Sequence, residues 1–350
     1  MKTIPSILRR NLVIIDGNNM CWRGFKRTVL TSSNGKGVDL VFMSLRMLLS
    51  YFSLAQENGD MVIVWDGGRD KRRLELFAEY KHRKKPYTES EKRDFEEYKR
   101  QQYIFKELIS KMGITQILCG GREADDVINT IVRKRNIYSP ILLCNIGEFG
   151  EAVLVESTRS YNGTIYIVSN DLDYSQLLEC PDVLWYNPNS SVAMSKDDVY
   201  RTYGFLPEEY PLYKAIVGGH DNVPGVHGVG PVIAKKYLKY LREGSEIDFS
   251  KMGKVMSDLS SAVFLGVVSE AMEISKFLEV PDLELSEGVT IPFLYGRNVI
   301  EYGRYVRSLL EDLEFTSIID RFQDVVQPLY DSVSALIHSL DSNDKLFGGE

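Results

Sequence analysis

Three runs of apolar, largely β-branched residues end on acidic side chains. Asn-Leu-Val-Ile-Ile (11–15) stops at Asp16, Met61–Trp65 stops at Asp66, and Thr164–Val168 is followed by Ser-Asn-Asp171-Leu-Asp173. An unbroken apolar run, rather than an alternating one, predicts a strand covered on both faces, the pattern of a parallel sheet. Between the first two runs, Val38, Val41, Phe42, Leu45, Leu48, Leu49 and Phe52 recur at helical spacing within 38–56. Further strands are predicted over 114–118 and 183–186, and an amphipathic helix over 123–135. Strands alternating with helices imply a doubly wound, twisted parallel α/β sheet. The C-terminal ends of its strands share one edge, where ligands bind. Acids placed at those ends would converge.

Eight acids occupy such settings: Asp16, Asp66, Glu123, Asp125, Asp126, Asp171, Asp173 and Asp221. Plainer readings exist for each. Asp-Gly after a strand is often a turn, acids in a first helical turn complement the macrodipole, and one of Asp171 and Asp173 suffices as an N-cap. Three acids within Glu123-Ala-Asp125-Asp126 exceed what a helix start needs, and Glu123 and Asp126 share a helix face. So many like charges at one edge predict hard divalent cations, and oxygen-only ligands select Mg²⁺ or Mn²⁺. A carboxylate-held metal pair is suited to cutting phosphodiesters.

The net charge of −7 speaks against a nucleic-acid partner only on average, because basic residues are clustered. Residues 69–106 hold thirteen Lys/Arg against eight Asp/Glu, with Tyr80, Tyr87, Tyr98 and Tyr103 interleaved. Many of these cations are expected to be solvated surface, and some of Arg72, Arg73, Lys81, Arg83, Lys84 and Lys85 are expected to face a phosphate-bearing substrate. A second basic element spans 216–242, where Gly-Val-His-Gly228-Val-Gly230-Pro231 precedes an amphipathic helix carrying Lys235, Lys236 and Lys239. It reads as a helix–hairpin–helix, whose helix start can bind a phosphate without reading sequence. The segment 136–163 has little periodicity and reads as an excursion with a hairpin (Ile141–Cys144, Ala152–Val155). Ser195 is the expected N-cap of a helix over Lys196–Tyr203, and the chain reads as all α from about 250 onward. The four cysteines lack CxxC pairing and are expected to be reduced and buried. With neither a signal peptide nor a membrane span of roughly 18 apolar residues, a cytoplasmic protein is expected.

In order, Ile15-Asp16-Gly-Asn18, Trp65-Asp66-Gly, Tyr80-Lys81 with Arg83, Glu123-Ala-Asp125-Asp126, Ser169-x-Asp171-x-Asp173 and Asp221-Asn-x-Pro-Gly225 resemble the motifs of the 5′-nuclease superfamily. That superfamily includes flap endonucleases, the 5′-exonuclease domain of bacterial DNA polymerase I, and phage 5′-nucleases of the ribonuclease H type. The resemblance runs from about residue 12 to 240. It implies a PIN-like nuclease core over 1–190 with a helical arch at about 69–106, a SAM-like helical DNA-binding domain over 191–340, and a mobile tail over 341–350.

By the same resemblance, Asp16, Asp66, Glu123, Asp125 and Asp126 would serve a first Mg²⁺, and Asp171, Asp173 and Asp221 a second. Lys81 and Arg83 would contact the scissile phosphate, Arg73 matches an upstream basic position counted with the catalytic residues, and Arg72, Lys84 and Lys85 would bind DNA. Gly225, Gly228, Gly230, Lys235 and Lys236 would hold duplex, with a K⁺ at the hairpin. The implied activity is 5′-3′ exonuclease and flap endonuclease action on DNA or RNA–DNA with 5′ ends, flaps or nicks, in primer removal by a monomer.

The chain departs from the family pattern in two places. The family's Gly-Asp-x-x-Asp-Asn appears as Gly218-Gly219-His220-Asp221-Asn222, one residue short and without the first Asp, so the second metal lacks one ligand. His220 is read as a hydrogen-bonding loop residue. The distance from Asp126 to Asp171 is also longer than usual. The alternative is a non-catalytic junction-binding protein on the same fold. A PIN-like ribonuclease would lack the hairpin. Lys345-Leu346-Phe347 in the tail is a candidate docking point for a sliding clamp or a single-strand-binding protein.

Overall fold

The strand-forming runs and their helical spacers fold as their periodicities demand. The computed structural model describes residues 11–25, 30–55, 59–82, 86–112, 114–134, 142–145, 152–155, 163–219, 221–223, 225–244, 261–280, 307–308 and 310–319. Arg83, Lys84, Lys85, His220 and the tail lie outside them. In chain order the first elements are β1 (Leu12–Asp16), α1 (Gly17–Gly24), α2 (Asp39–Ala55), β2 (Asp60–Trp65), α3 (Lys71–Leu76), α4 (Glu89–Lys111), β3 (Thr115–Leu118) and α5 (Ala124–Arg133). They are followed by β4 (Leu142–Asn145), β5 (Ala152–Val155), β6 (Ile165–Val168), a 3₁₀ helix (Leu172–Glu179), β7 (Val183–Asn187) and β8 (Val192–Met194). The remaining elements are α6 (Lys196–Tyr203), α7 (Tyr210–Val217), α8 (Pro231–Arg242) and α9 (Ser261–Ser275).

The main sheet has the order β3-β2-β1-β6-β7-β8, parallel throughout except for β8 at one edge. Successive residues of β1 point to opposite faces. Val13 and Ile15 join the core formed with α1, α2 and α4, whereas Leu12 and Ile14 join the core with α5, the 3₁₀ helix and α6. Both faces are therefore covered, which is why the strands read as unbroken apolar runs. The chain winds from β1 outward through β2 to β3, then returns to β6 on the other flank of β1. That reversal opens a crevice at the C-terminal ends of β1 and β6, where ligands bind in open α/β sheets.

Local rules decide the helix ends. Ser195 accepts from the N–H of Asp198, whose carboxylate accepts in return from the N–H of Ser195 at 2.9 Å, a reciprocal cap. Thr88 and Glu91 cap α4 in the same way. The excursion contains the expected antiparallel pair, β4 with β5. One expectation changes in kind. The basic stretch 69–106 does not behave as one exposed unit, because α4 runs on to Lys111 and buries Tyr98, Phe105, Leu108 and Ile109 against the sheet. Those residues recur at helical spacing across the boundary at 106, and burial of that face outweighs the charge of the other. Tyr80 is buried as well, while Tyr87 and Tyr103 are exposed.

The helices after the sheet bury Ala215 and Ile216 of α7, Ala234 and Tyr237 of α8, and Val268, Ala271 and Ile274 of α9 in a third cluster with Tyr80. Gly225 is required there: at φ +61 it lies so close to Gly218 that a Cβ would meet the Gly218 nitrogen at 2.6 Å. Cys21 is buried, and Cys119 and Cys180 are half-buried. Among the described residues no helix is long and apolar enough to cross a membrane.

Candidate active site

β1 delivers Asp16 to the sheet edge, where it caps α1 by accepting from the Asn19 N–H at 2.9 Å. Its other oxygen accepts from Ser169 Oγ at 3.3 Å and from the Tyr174 hydroxyl at 3.2 Å. Asp66, one residue past β2, accepts from Asn18 Nδ2 at 2.6 Å and from the N–H of Ala124 at 2.9 Å. The Asp-Gly pair is a turn as well as a site. The Gly67 N–H donates to Arg122 O at 2.9 Å, and a Cβ on Gly67 would run into the Cys119 carbonyl, so only glycine lets these loops close. Asp171 caps the 3₁₀ helix, accepting from the Asp173 N–H at 3.0 Å, while its own N–H donates to Ser169 Oγ at 3.2 Å.

Asp16, Asp66 and Asp171 have neutral donors, and among the described residues none of the three is ion-paired. Burial, then the charges of Asp66 and Asp171, push the Asp16 carboxyl up to about 7. Burial, then Asp173, push Asp171 up to about 6. Each shift states that another negative charge is unwelcome and a cation is favoured.

The other acids meet protein cations. Glu123 stands at the N-cap of α5 without capping it, because its carboxylate accepts from the Tyr80 hydroxyl at 2.9 Å and from Lys81 Nζ at 2.6 Å. Asp126 is fully buried and takes both arms of Arg73, at 2.5 and 2.7 Å, together with the Leu278 N–H at 2.7 Å. Arg73 also donates through Nε to Ile274 O at 3.2 Å, so one guanidinium joins α3, α5 and α9. Asp173 accepts from the Tyr210 hydroxyl at 2.5 Å and from Lys214 Nζ at 2.6 Å, and the same ammonium donates to Asp221 Oδ2 at 2.7 Å. Asp221 Oδ1 is buried with no partner. Asp125 is half-buried, and its burial raises its carboxyl well above the usual range.

Lys81 adopts φ +49, a left-handed conformation that is uncommon for a side chain of this kind. Its N–H donates to Asp221 O at 2.9 Å, and Asn222 Nδ2 donates to Glu79 O and His82 O, each at 2.8 Å. The base of the basic segment is thereby fastened to the Asp221 loop. Burial opposes the charge of Lys81, but Asp125, Tyr80 and Glu123 more than offset it and hold its pKa up.

All eight acids lie within one electrostatic neighbourhood. Tyr174 senses Asp16, Asp125, Asp171 and Asp66; Tyr210 senses Asp173, Asp171 and Asp221; Tyr80 senses Glu123 and Asp125; and Asp126 adjoins Asp125. Among the described residues, however, no three His, Cys, Asp or Glu side chains are drawn around one point as metal ligands. Arg73 is 2% exposed and faces Asp126 rather than solvent. Arg72 donates to Asp70 and to Glu279 O. In the hairpin Gly225 and Gly228 have positive φ, whereas Gly230 is extended at φ −97 and a Cβ there would meet nothing within 4 Å. Lys235 is half-buried and Lys236 exposed on α8. Sequence reasoning missed Lys214, Tyr174 and Tyr210. Lys214 carried one signal, being the single charge in the apolar helix Tyr-Pro-Leu-Tyr-Lys-Ala-Ile-Val.

A doubly wound sheet with eight acids at its C-terminal edge defines a class, and comparisons place the chain within it. The family model described as "5′-3′ exonuclease, N-terminal resolvase-like domain" matches residues 11–143. A 5′-3′ exonuclease of Aquifex aeolicus is 30% identical over 232 residues, covering 66% of this chain and 69% of that protein. The chain belongs to the 5′-3′ exonuclease family, a family of nucleases. A thermostable DNA polymerase I of Thermus filiformis is 26% identical over 317 residues, covering 89% of this chain and 33% of that protein, so the chain spans about a third of that relative's length. Among solved structures, the bacteriophage T5 flap endonuclease in a pseudo-enzyme-product complex with DNA and metal ions shares the fold at TM-score 0.52 and 19% identity, covering 92% of this chain and 100% of that one.

Proposed function

We propose that the chain is a divalent-metal-dependent 5′-3′ exonuclease and flap endonuclease acting on DNA or RNA–DNA with 5′ ends, flaps or nicks, as in primer removal during replication. The observation that supports this reading is the electrostatic neighbourhood that Asp16 shares with Asp66 and Asp171, each presented just past a different strand, with no ion pair to any of the three among the described residues. Their donor set is all oxygen and suits Mg²⁺ or Mn²⁺. Asp16, raised to about 7 by burial and its acidic neighbours, is favoured by a nearby cation. The T5 flap endonuclease, crystallised with DNA and metal ions, agrees in fold with such a site.

Asp16, Asp66 and Asp171 would hold the ion, with Asp125 and Glu123 beside them; Asp173 and Asp221 are the candidates for a second region. The chemistry a divalent ion supplies there is Lewis acidity toward water and toward a phosphate oxygen. Ser169, Tyr174 and Asn18 hold the carboxylates in place through the hydrogen bonds given above. Lys81, 40% exposed on its side chain, is placed to neutralise charge on the phosphate, with Arg83 as its expected companion. Arg73 acts one layer deeper, by fixing Asp126. The hairpin of Gly225, Gly228 and Gly230, with Lys235 and Lys236 on the following helix and a K⁺ as its candidate ion, would hold duplex by its phosphates.

A labelled 5′-flap, a nicked duplex and an RNA–DNA hybrid incubated with and without Mg²⁺ test the reading. It expects Mg²⁺-dependent products from at least one substrate. Tight binding without products from any of them would favour the junction-binding alternative, which the protein cations at Glu123, Asp126, Asp173 and Asp221 make worth testing.

A further inference from the structure

The Asp173–Asp221 end of the site is organised unlike the rest. Lys214 Nζ lies 2.6 Å from Asp173 Oδ2 and 2.7 Å from Asp221 Oδ2, bridging two carboxylates that are distant in sequence. All three groups are shielded, with side chains 10%, 18% and 12% exposed for Lys214, Asp173 and Asp221. The Tyr210 hydroxyl occupies the remaining oxygen of Asp173 at 2.5 Å. Of the four carboxylate oxygens, Asp221 Oδ1 alone is left without a donor. One open oxygen beside a buried ammonium is a poor site for a doubly charged ion, which needs several oxygen ligands and no like charge nearby.

Nor does Gly219, in the same loop, offer a side chain that could add a ligand. The segment Gly218-Gly219-His220-Asp221 has glycine before His220, and a Cβ on Gly219 would collide with Asp221 Oδ1 and meet Lys214 Cε at 3.0 Å. The space that another acidic side chain would need is filled by the lysine and its partner. Lys214 is held there by α7, whose neighbouring Ala215 and Ile216 are fully buried, so the ammonium has little freedom to withdraw.

We propose that the Lys214 ammonium takes the place of a second divalent ion between Asp173 and Asp221, so that this chain takes up one such ion, at Asp16, Asp66 and Asp171. The inference rests on the metal-dependent reading above and deepens it. Lys214 is a positioning residue: it fixes Asp173 and Asp221 and supplies permanently the positive charge that an exchangeable ion would otherwise bring. Removing its charge frees Oδ2 of both aspartates, which with Asp221 Oδ1 makes three oxygens available.

The test counts Mn²⁺ bound per full-length chain without DNA, by titration with electron paramagnetic detection of free Mn²⁺. Wild type is expected to bind one ion, with any second at least tenfold weaker. Lys214→Met is expected to bind two within tenfold of each other. Lys214→Gln, which removes the charge but keeps a polar side chain, gives the same expected count should the methionine variant fail a circular-dichroism melt. Two ions of similar affinity in wild type, or a count that stays at one in both variants, overturns the inference while leaving a metal-dependent nuclease intact. No ion bound by any of these proteins overturns both readings.

Discussion

The two halves of the acidic edge solve the same electrostatic problem in opposite ways. Glu123, Asp126, Asp173 and Asp221 are answered by Lys81, Arg73 and Lys214 at 2.5–2.7 Å. Among the described residues Asp16, Asp66 and Asp171 accept hydrogen bonds from amides and hydroxyls and form no ion pair. The first half is paired by protein cations, with Asp221 Oδ1 left over, and ties α3, α5, α7 and α9 to the sheet. The second is left unsatisfied, with Asp16 raised to about 7. Like charges at a sheet edge thus serve partly as a structural device, and the proposed function assigns the remainder to a cation; only the local partner distinguishes the two.

The contrast breaks most visibly at Arg73. Arg73→Met strands Asp126, which is fully buried, and loss of one partner of a buried pair typically costs about 3–5 kcal/mol. Urea denaturation is expected to show a loss in that range, and a loss below about 1 kcal/mol would mean that the pair is not the structural half of the site.

Asp16→Asn should act in the opposite sense on metal-free protein, stabilising it by about 1–2 kcal/mol at pH 8 after allowance for solvent screening. The sign follows from linkage. The folded state holds its proton up to about pH 7 while the unfolded state releases it near 3.8, so between these values rising pH favours unfolding. The difference between wild type and Asp16→Asn should therefore vanish below about pH 4, grow up to about pH 7, and shrink again when Mg²⁺ is added. Chemical denaturation across pH with EDTA or Mg²⁺ checks this, and a difference independent of pH would sink it.

A smaller effect is expected outside the acidic edge. Lys235→Ala should weaken duplex binding a few-fold and lower the slope of log affinity against log salt by about 0.9, the share of one phosphate contact. An unchanged slope would remove Lys235 from the duplex-binding face.

Much of this arrangement was legible beforehand, for identifiable reasons. Unbroken apolar runs ending at Asp16 and Asp66 carry both the strand and the candidate acid beyond it, because the residue that ends a parallel strand is also the one presented at the ligand edge. Ser195 and its cap follow from local chemistry alone. The partners of the acids were not legible. Arg73 sits in a run of cations that reads as a substrate-facing surface, and nothing local says that α3 turns it inward to Asp126. Lys214 and Asp173 are 41 residues apart and meet only when α7 packs on the 3₁₀ helix. The burial of α4 was hidden by counting charge over 69–106, when the apolar face of the helix continues to Met112.

The most direct measurement is single-turnover cleavage of a 5′-labelled nicked or flapped duplex by wild type and Asp66→Asn in Mg²⁺, with duplex affinity measured in parallel. Loss of an ion worth several kcal/mol to the transition state predicts a fall in rate of about 1,000-fold or more at nearly unchanged affinity. Equal rates for the two proteins, or cleavage that proceeds without a divalent ion, would contradict the account.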